Sequence, residues 1–220
     1  MNPLPAQHRI PVILFDYGGV LADEGFRNGL AEIARIRGLD SNAVLAQAMD
    51  AVYQSGYVLG KGSEADFWKL LEKKCGIEGD VSALRNEILQ RFQLRPWMLQ
   101  LVDGLRSRGY RVGILSDQTD WLDELDARDH FFSHFDAVFN SYHLGMGKRD
   151  PAVFRKVAQN LKVSPEQILF VDDSPGNIER ANTAGLQTIL FIDRDQFEKA
   201  LQEKLSTANQ GVRNRPATPA

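Results

Sequence analysis

Short apolar runs rich in β-formers recur along the chain at Val12–Phe15, Val112–Leu115, Ala137–Phe139, Ile168–Val171 and Thr188–Ile192, and most run into small or acidic residues. Between them the apolar positions fall at helical spacing. Met98, Leu99, Leu101, Val102 and Leu105 form one stripe with Gly109 as its stop, and Val153, Phe154, Val157, Ala158 and Leu161 form another. The second follows Asp150-Pro151, a capping residue and then a residue suited to a first helical turn. This alternation predicts an α/β fold: a parallel sheet with helices on both faces.

From about Asp23 to Leu94 the pattern changes, because no β-like run of useful length appears and the periodicity is helical throughout. Phe26, Leu30, Ile33 and Ala34 predict one helix ending near Gly38, and Ser41 to Met49 a second. Ser63, with Asp66 three positions on, predicts the capped start of a third helix carrying Phe67, Leu70, Leu71 and Cys75. Val81, Leu84, Ile88, Leu89 and Phe92 fit a fourth. The expected organisation is a core from residues 1–22 and 95–205, interrupted by an all-helical cap at 23–94. Residues 206–220, polar and containing Pro216 and Pro219, are expected to form a disordered tail.

With 220 residues, 43% hydrophobic and 25% charged, the chain has the balance of an ordinary globular protein. A single cysteine, Cys75, excludes an internal disulfide and a thiol-rich zinc site, and suits a reducing cytoplasm. The apolar run Ile10–Phe15, interrupted by Pro11, is far too short for a membrane span or a signal peptide. A net charge of −3 disfavours nucleic acid as partner. A monomer or homodimer acting on a small molecule is the expectation.

In open α/β sheets ligands bind beyond the carboxyl ends of the strands. The first strand is followed by Asp16-Tyr17-Gly18-Gly19, the second by Ser116-Asp117, and the fourth by Asp172-Asp173-Ser174-Pro175-Gly176-Asn177, while Lys148 lies just before the helix that begins near Asp150. Singly, each group has an ordinary structural use as a turn, a cap or solvated surface. Together, carboxylates converging on one sheet edge repel one another unless a cation lies between them. Mg²⁺, which favours one or two carboxylates together with waters and a phosphate, answers that need. A carboxylate beside it can attack phosphorus, with the Ser116 hydroxyl and the Lys148 ammonium holding phosphoryl oxygens.

Four segments carry a resemblance: Val12-Ile-Leu-Phe-Asp16-Tyr-Gly-Gly-Val-Leu21, Gly113-Ile-Leu-Ser116-Asp117, Leu144-Gly-Met-Gly-Lys148-Arg-Asp-Pro151, and Ile168-Leu-Phe-Val-Asp172-Asp-Ser-Pro-Gly-Asn177. In order and spacing they resemble the haloacid dehalogenase-like hydrolase superfamily, in the subgroup whose helical cap follows the first motif. The resemblance implies a Rossmann-like core with Asp16 as nucleophile and Ser116 and Lys148 as phosphate binders. It also implies Asp16, Asp173 and the Gly18 carbonyl as Mg²⁺ ligands, with Asp172 acting directly or through water. Asp117, beside Ser116, is a further substrate-binding candidate, and Asn177 is expected to support the loop.

Gly18 departs from the pattern, since many phosphatases of the superfamily place there a second Asp that protonates the leaving group and then activates water. A branch similar to bacterial α-glucose-1-phosphate phosphatases also has Asp-x-Gly, with Arg-Pro before a core helix, here Arg95-Pro96. The implied function is a Mg²⁺-dependent phosphatase of a small phosphorylated metabolite that favours a good leaving group or recruits an acid from the cap or the substrate. Two alternatives stand beside it. One is a 2-haloacid dehalogenase, with Asp16 attacking carbon, which the acidic pair Asp172-Asp173 disfavours. The other is a catalytically silent binding protein that keeps the fold. In the cap, Tyr53, Tyr57 and Trp68 are pocket candidates that helical spacing equally assigns to core; Arg35, Arg37 and Lys61 are candidates for a sugar or second phosphate. Gly56, Gly60 and Gly62 predict a bent link, and His130, His134 and His143 lack metal-ligand spacing.

Overall fold

A computed structural model describes residues 10–213, with side chains as far as 206. Chain order gives β1 (Val12–Phe15), α1 (Gly25–Ile36), α2 (Ser41–Gln54), α3 (Glu64–Cys75), α4 (Val81–Leu89), α5 (Pro96–Ser107), β2 (Arg111–Ser116), α6 (Trp121–Asp129), β3 (Ala137–Asn140), the single turn α7 (Ser141–Leu144), α8 (Ala152–Leu161), β4 (Ile168–Asp172), α9 (Pro175–Thr183), β5 (Gln187–Leu190) and α10 (Arg194–Arg213). The five strands form one parallel sheet in the order β3-β2-β1-β4-β5. β1 is central, and the chain builds outward from it first on one side and then on the other. That reversal places a ligand crevice beyond its carboxyl end.

The strands are apolar on both faces because both are covered. Val12 and Leu14 pack with Ile168, Phe170 and the α8 residues Val153, Phe154 and Val157, while Ile13 and Phe15 join Leu169, Val171, Met98, Val102 and Phe197 on the opposite side. That second cluster continues into the helical insert through Tyr17, whose ring stacks on Phe131 at 4.9 Å and lies 5.6 Å from Phe92.

The insert between β1 and β2 consists of α1 to α4. Asp40 and Asp80 cap α2 and α4, and Ser63 with Asp66 forms a reciprocal capping box on α3. α1 and α4 pack backbone to backbone at Gly29, where a β-carbon would lie 2.6 Å from the Ile88 Cα. Chain exit and return are adjacent: Ala22 pairs with Leu94, and the Asp23 N–H donates to the Gln93 carbonyl at 2.9 Å. Arg95 clamps this stem by donating to the carbonyls of Gly19 and Val20 at 2.7 and 2.9 Å.

Some expectations shift. The fifth strand ends at Leu190, because Phe191 turns into the core and Ile192 is exposed. Phe92 lies beyond α4 but is fully buried. The last helix runs to Arg213, past position 206, where the polar composition predicts disorder. Its buried anchors Phe197, Leu201 and Leu205 nucleate it, and extension of an existing helix needs no further apolar residue. The rest of the expected tail, 214–220, lies outside the described residues. Among the described residues no helix is long and apolar enough to cross a membrane.

Candidate active site

Asp16 begins where β1 stops, its N–H still donating to the Val171 carbonyl at 2.9 Å. One carboxylate oxygen, Oδ1, accepts from the Tyr17 N–H at 2.7 Å and from the Ser116 hydroxyl, at the end of β2, at 2.6 Å. The other, Oδ2, lies 2.7 Å from Lys148 Nζ, and the same ammonium lies 2.7 Å from Asp172 Oδ2 at the end of β4. Residues 100, 32 and 24 positions apart are thus joined in one network because they terminate adjacent strands or the loop beside them.

Lys148 is 1% exposed and held at every polar atom. Its N–H donates to both Asp117 oxygens at 2.8 and 2.9 Å, and its carbonyl accepts from Arg180 Nε at 2.7 Å. Burial opposes its charge, but the facing Asp16 and Asp172 carboxylates more than offset that and raise its pKa above the ordinary lysine value. Asp172 is fully buried, with its oxygens taken by Lys148, the Ser174 N–H at 2.8 Å and the Asn177 amide at 3.1 Å. Asn177 therefore supports the loop. Asp173, by contrast, lines the cavity. Burial raises the pKa of Asp16 well above the usual carboxylate range against the opposing pull of Lys148, and burial and then Asp172 raise that of Asp173.

Ligand atoms of Asp16, Asp172 and Asp173 come within 4.8 Å of one another. One ammonium faces two of these three carboxylates, so the cluster carries more negative than positive charge in a buried place, the condition under which a hard cation is held.

Above the strand ends lies a cavity of about 370 Å³. Its floor is Asp16, Gly18, Ser116, Lys148 and Asp173, and the insert supplies Glu24, Phe26, Arg27, Leu45, Met49, Val52, Tyr53 and Val58. Tyr53 donates its hydroxyl to Asp117, whose carboxylate is thereby turned to the insert and to the Lys148 backbone. Tyr57 and Trp68 belong to the buried core, Tyr57 bonding Asp120 and Trp68 bonding Glu64. Arg35 pairs with Glu32, and Arg37 donates to the Glu78 carbonyl, so neither is part of the cavity wall, and Lys61 is not in it either. Gly56 and Gly60, both at positive φ, bracket a tight turn that docks on the core where the Ser141 hydroxyl donates to the Val58 carbonyl at 2.7 Å. His134 and His143 pair with Asp103 and Asp123.

Glu24, Arg27, Gln118 and Arg180 are cavity residues that sequence reasoning did not single out. Glu24 caps α1, its Oε2 accepting the Arg27 N–H at 2.7 Å. Burial raises its pKa against the lowering effect of Arg27. In sequence it is an ordinary acidic helix start, and only folding brings it over Gly18.

A model of the haloacid dehalogenase-like hydrolase family matches residues 10–185. The chain belongs to this family. Among curated relatives, D-ribitol-5-phosphate phosphatase of Bacteroides thetaiotaomicron is 28% identical, the match covering 80% of this chain and 89% of that one. Bifunctional epoxide hydrolase 2 of Rattus norvegicus is 31% identical over 146 residues, 61% of this chain. That stretch is 26% of the rat protein, so the chain spans about a quarter or less of the first curated relatives it matches. A family enzyme of B. thetaiotaomicron in complex with magnesium and inorganic phosphate shares the fold at TM-score 0.64 and 21% identity, covering 82% of this chain and 93% of that one. L-2-haloacid dehalogenase from Xanthobacter autotrophicus with chloropropionic acid covalently bound shares it at TM-score 0.62 and 19% identity, covering 95% and 90%.

Proposed function

We propose that the protein is a Mg²⁺-dependent phosphatase that hydrolyses a small phosphate monoester, a sugar phosphate or similar metabolite, through an aspartyl-phosphate on Asp16. One observation carries this reading: an oriented carboxylate, Asp16, is flanked by a hydroxyl and a buried ammonium within hydrogen-bond reach, beside two further carboxylates. That set supplies a nucleophile, two binders of phosphoryl oxygens and the donors for a hard cation, and phosphoryl transfer asks little else than such positioning and charge. The phosphatase among the relatives and the magnesium and phosphate bound by the structural neighbour support it.

The Tyr17 N–H fixes Oδ1, from which Ser116 would turn its single proton to the arriving phosphoryl group, and Oδ2 is the oxygen assigned to attack. The bond from Oδ2 to phosphorus forms as the bond to the alcohol oxygen breaks. Water then attacks phosphorus, releasing inorganic phosphate and restoring the carboxylate. Ser116 and Lys148 hold the phosphoryl oxygens in both steps. Asp16 and Asp173 would hold Mg²⁺, while Asp172, saturated by protein donors, would act by fixing Lys148 and the loop. Bound there, the ion offsets the charge of the phosphoryl group. The Asp117 carboxylate repels a phosphate, so its contribution is assigned to holding the Lys148 backbone.

The test is a panel of phosphate monoesters that includes glucose 1-phosphate and an activated aryl phosphate, assayed with Mg²⁺ and with chelator. Turnover only with Mg²⁺ is expected. Turnover of 2-haloacids in chelator would establish the dehalogenase reading instead, and metal binding without turnover of any ester would mean a silent binding protein.

A further inference from the structure

Two-step phosphoryl transfer poses a proton problem. Unless strongly activated, the departing alcohol oxygen must gain a proton as it leaves phosphorus, and the attacking water must later lose one. The group responsible has to face the cavity, exchange a proton and keep one oxygen free of other duties. Of the cavity-lining side chains, Asp16 is the attacking group and Lys148 is ion-paired to two carboxylates. The Asp117 carboxylate already accepts from Tyr53 and from the Lys148 N–H. Asp173 is assigned to the cation, and the arginines do not release protons. Glu24 remains.

Its placement fits. Oε2 is pinned by the Arg27 N–H at 2.7 Å, which turns Oε1 toward Gly18: a β-carbon built on Gly18 would lie 3.3 Å from that oxygen. Because Gly18 has no side chain, the Glu24 carboxyl, from the start of α1, can stand against the place where a side chain two residues beyond the nucleophile would begin, with Phe92 Cε1 3.5 Å from the same point. Gln118 Nε2 comes within 3.6 Å of the same point. The Glu24 side chain is 30% exposed, open enough for substrate and water to meet it.

We infer that Glu24 is the general acid and base of this site, an inference that rests on the phosphatase reading above. In the first step the Glu24 carboxylic acid gives its proton to the alcohol oxygen as the P–O bond breaks, leaving ROH, phospho-Asp16 and a Glu24 carboxylate. In the second, that carboxylate takes a proton from water as the water oxygen bonds to phosphorus and the bond to Asp16 breaks. Inorganic phosphate, the Asp16 carboxylate and the Glu24 acid are thereby regenerated.

The experiment compares wild type with Glu24→Gln on an alkyl phosphate and on 4-nitrophenyl phosphate, with Mg²⁺, by steady-state and stopped-flow kinetics. On the alkyl ester kcat should fall roughly 10²–10⁴-fold. On the aryl ester, whose leaving group needs no proton, nitrophenolate should appear as a burst of one equivalent per site followed by slow turnover, because phospho-Asp16 still lacks its base. Gly18→Asp added to Glu24→Ala, which clears the end of the side chain at 24, puts a carboxyl in its place and should recover alkyl-ester turnover relative to Glu24→Ala alone, which it could not do for a misfolded variant. Equal loss on both esters without a burst would reduce Glu24 to a helix cap and overturn the inference. So would unchanged alkyl-ester turnover. If wild type hydrolyses neither ester, the phosphatase reading itself fails and takes this one with it, an outcome visible before any variant is made.

Discussion

Tyr53, on the second helix of the insert, donates its hydroxyl to the Asp117 carboxylate, and that carboxylate also takes the backbone N–H of Lys148 at 2.8 and 2.9 Å. Helical insert and buried ammonium are thereby mechanically linked. Arg149 strengthens the joint from the other side, its guanidinium 3.7 Å from the Tyr53 ring centroid and its Nη2 donating to the Met49 carbonyl at 3.2 Å. Burial and the facing Asp117 push the Tyr53 hydroxyl above its usual pKa, so it stays a donor. Tyr53→Phe should lower stability by about 1.5–3 kcal/mol, the range for a hydrogen bond to a charged group. Urea unfolding of the two proteins checks this, and an unchanged midpoint would mean the link is slack.

Lys148 and Asp16 should respond in opposite ways to removal. Lys148→Ala leaves two buried carboxylates without their counter-charge, and a loss of about 3–5 kcal/mol at neutral pH is expected. Asp16→Asn keeps the shape and an acceptor for Ser116, so circular dichroism should be unchanged while turnover falls on the order of 10⁴-fold or more. A folded, active Asp16→Asn protein would remove Asp16 from the chemistry.

The pH dependence of the metal-free protein follows from one shared direction. Asp16, Glu24 and Asp173 all have pKa values raised in the folded state, with burial as the leading cause. A raised acid keeps its proton where the unfolded chain has already lost it, so the native state binds more protons and stability falls as pH rises. The unfavourable contribution is absent below the ordinary carboxylate value of about 4 and complete above the raised folded values. In chelator the urea midpoint should be higher at about pH 5 than at about pH 8, with Mg²⁺ narrowing the gap by offsetting the buried charge. A midpoint that rises with pH in chelator contradicts this.

Two glycines hold close approaches that a methyl group would break. Gly19 has φ +78°, and a β-carbon there would run into the Asp173 carboxylate. Gly19→Ala should therefore weaken Mg²⁺ binding, measured by titration calorimetry, more than it lowers stability in chelator. At Gly29 the obstruction is the Ile88 backbone, which cannot swing away, so Gly29→Ala should destabilise by about 1–3 kcal/mol. A Gly29→Ala protein as stable as wild type would mean that α1 and α4 separate freely.

What the sequence made legible was whatever has a short-range signature. Strands buried on both faces read as apolar runs, α3 announced itself through Ser63 and Asp66, and Asp16, Ser116 and Asp172 stand at strand ends that topology must bring together, with Lys148 in the loop before α8 at the same edge. Interactions that bring a residue of the insert to the core left no such mark. Tyr53 meets Asp117 across 64 positions, and nothing in helical spacing separates it from Tyr57, which is core. Glu24 looks like any acidic helix start until the chain turns it over Gly18. The extension of α10 was hidden for another reason: composition reports the absence of a core, whereas a helix anchored by Phe197 and Leu201 propagates through polar residues.

The pairing of Ala22 with Leu94 makes the insert a side branch that leaves and rejoins the sheet at one point. Because those ends already touch, a short turn in place of residues 23–93 would close the gap without moving β1 or β2, and a longer branch would add only a slowly growing closure entropy. The fold thus works as a socket: what stands over Asp16 can be exchanged, lengthened or grafted from another chain while Arg95 keeps the socket's rim in place.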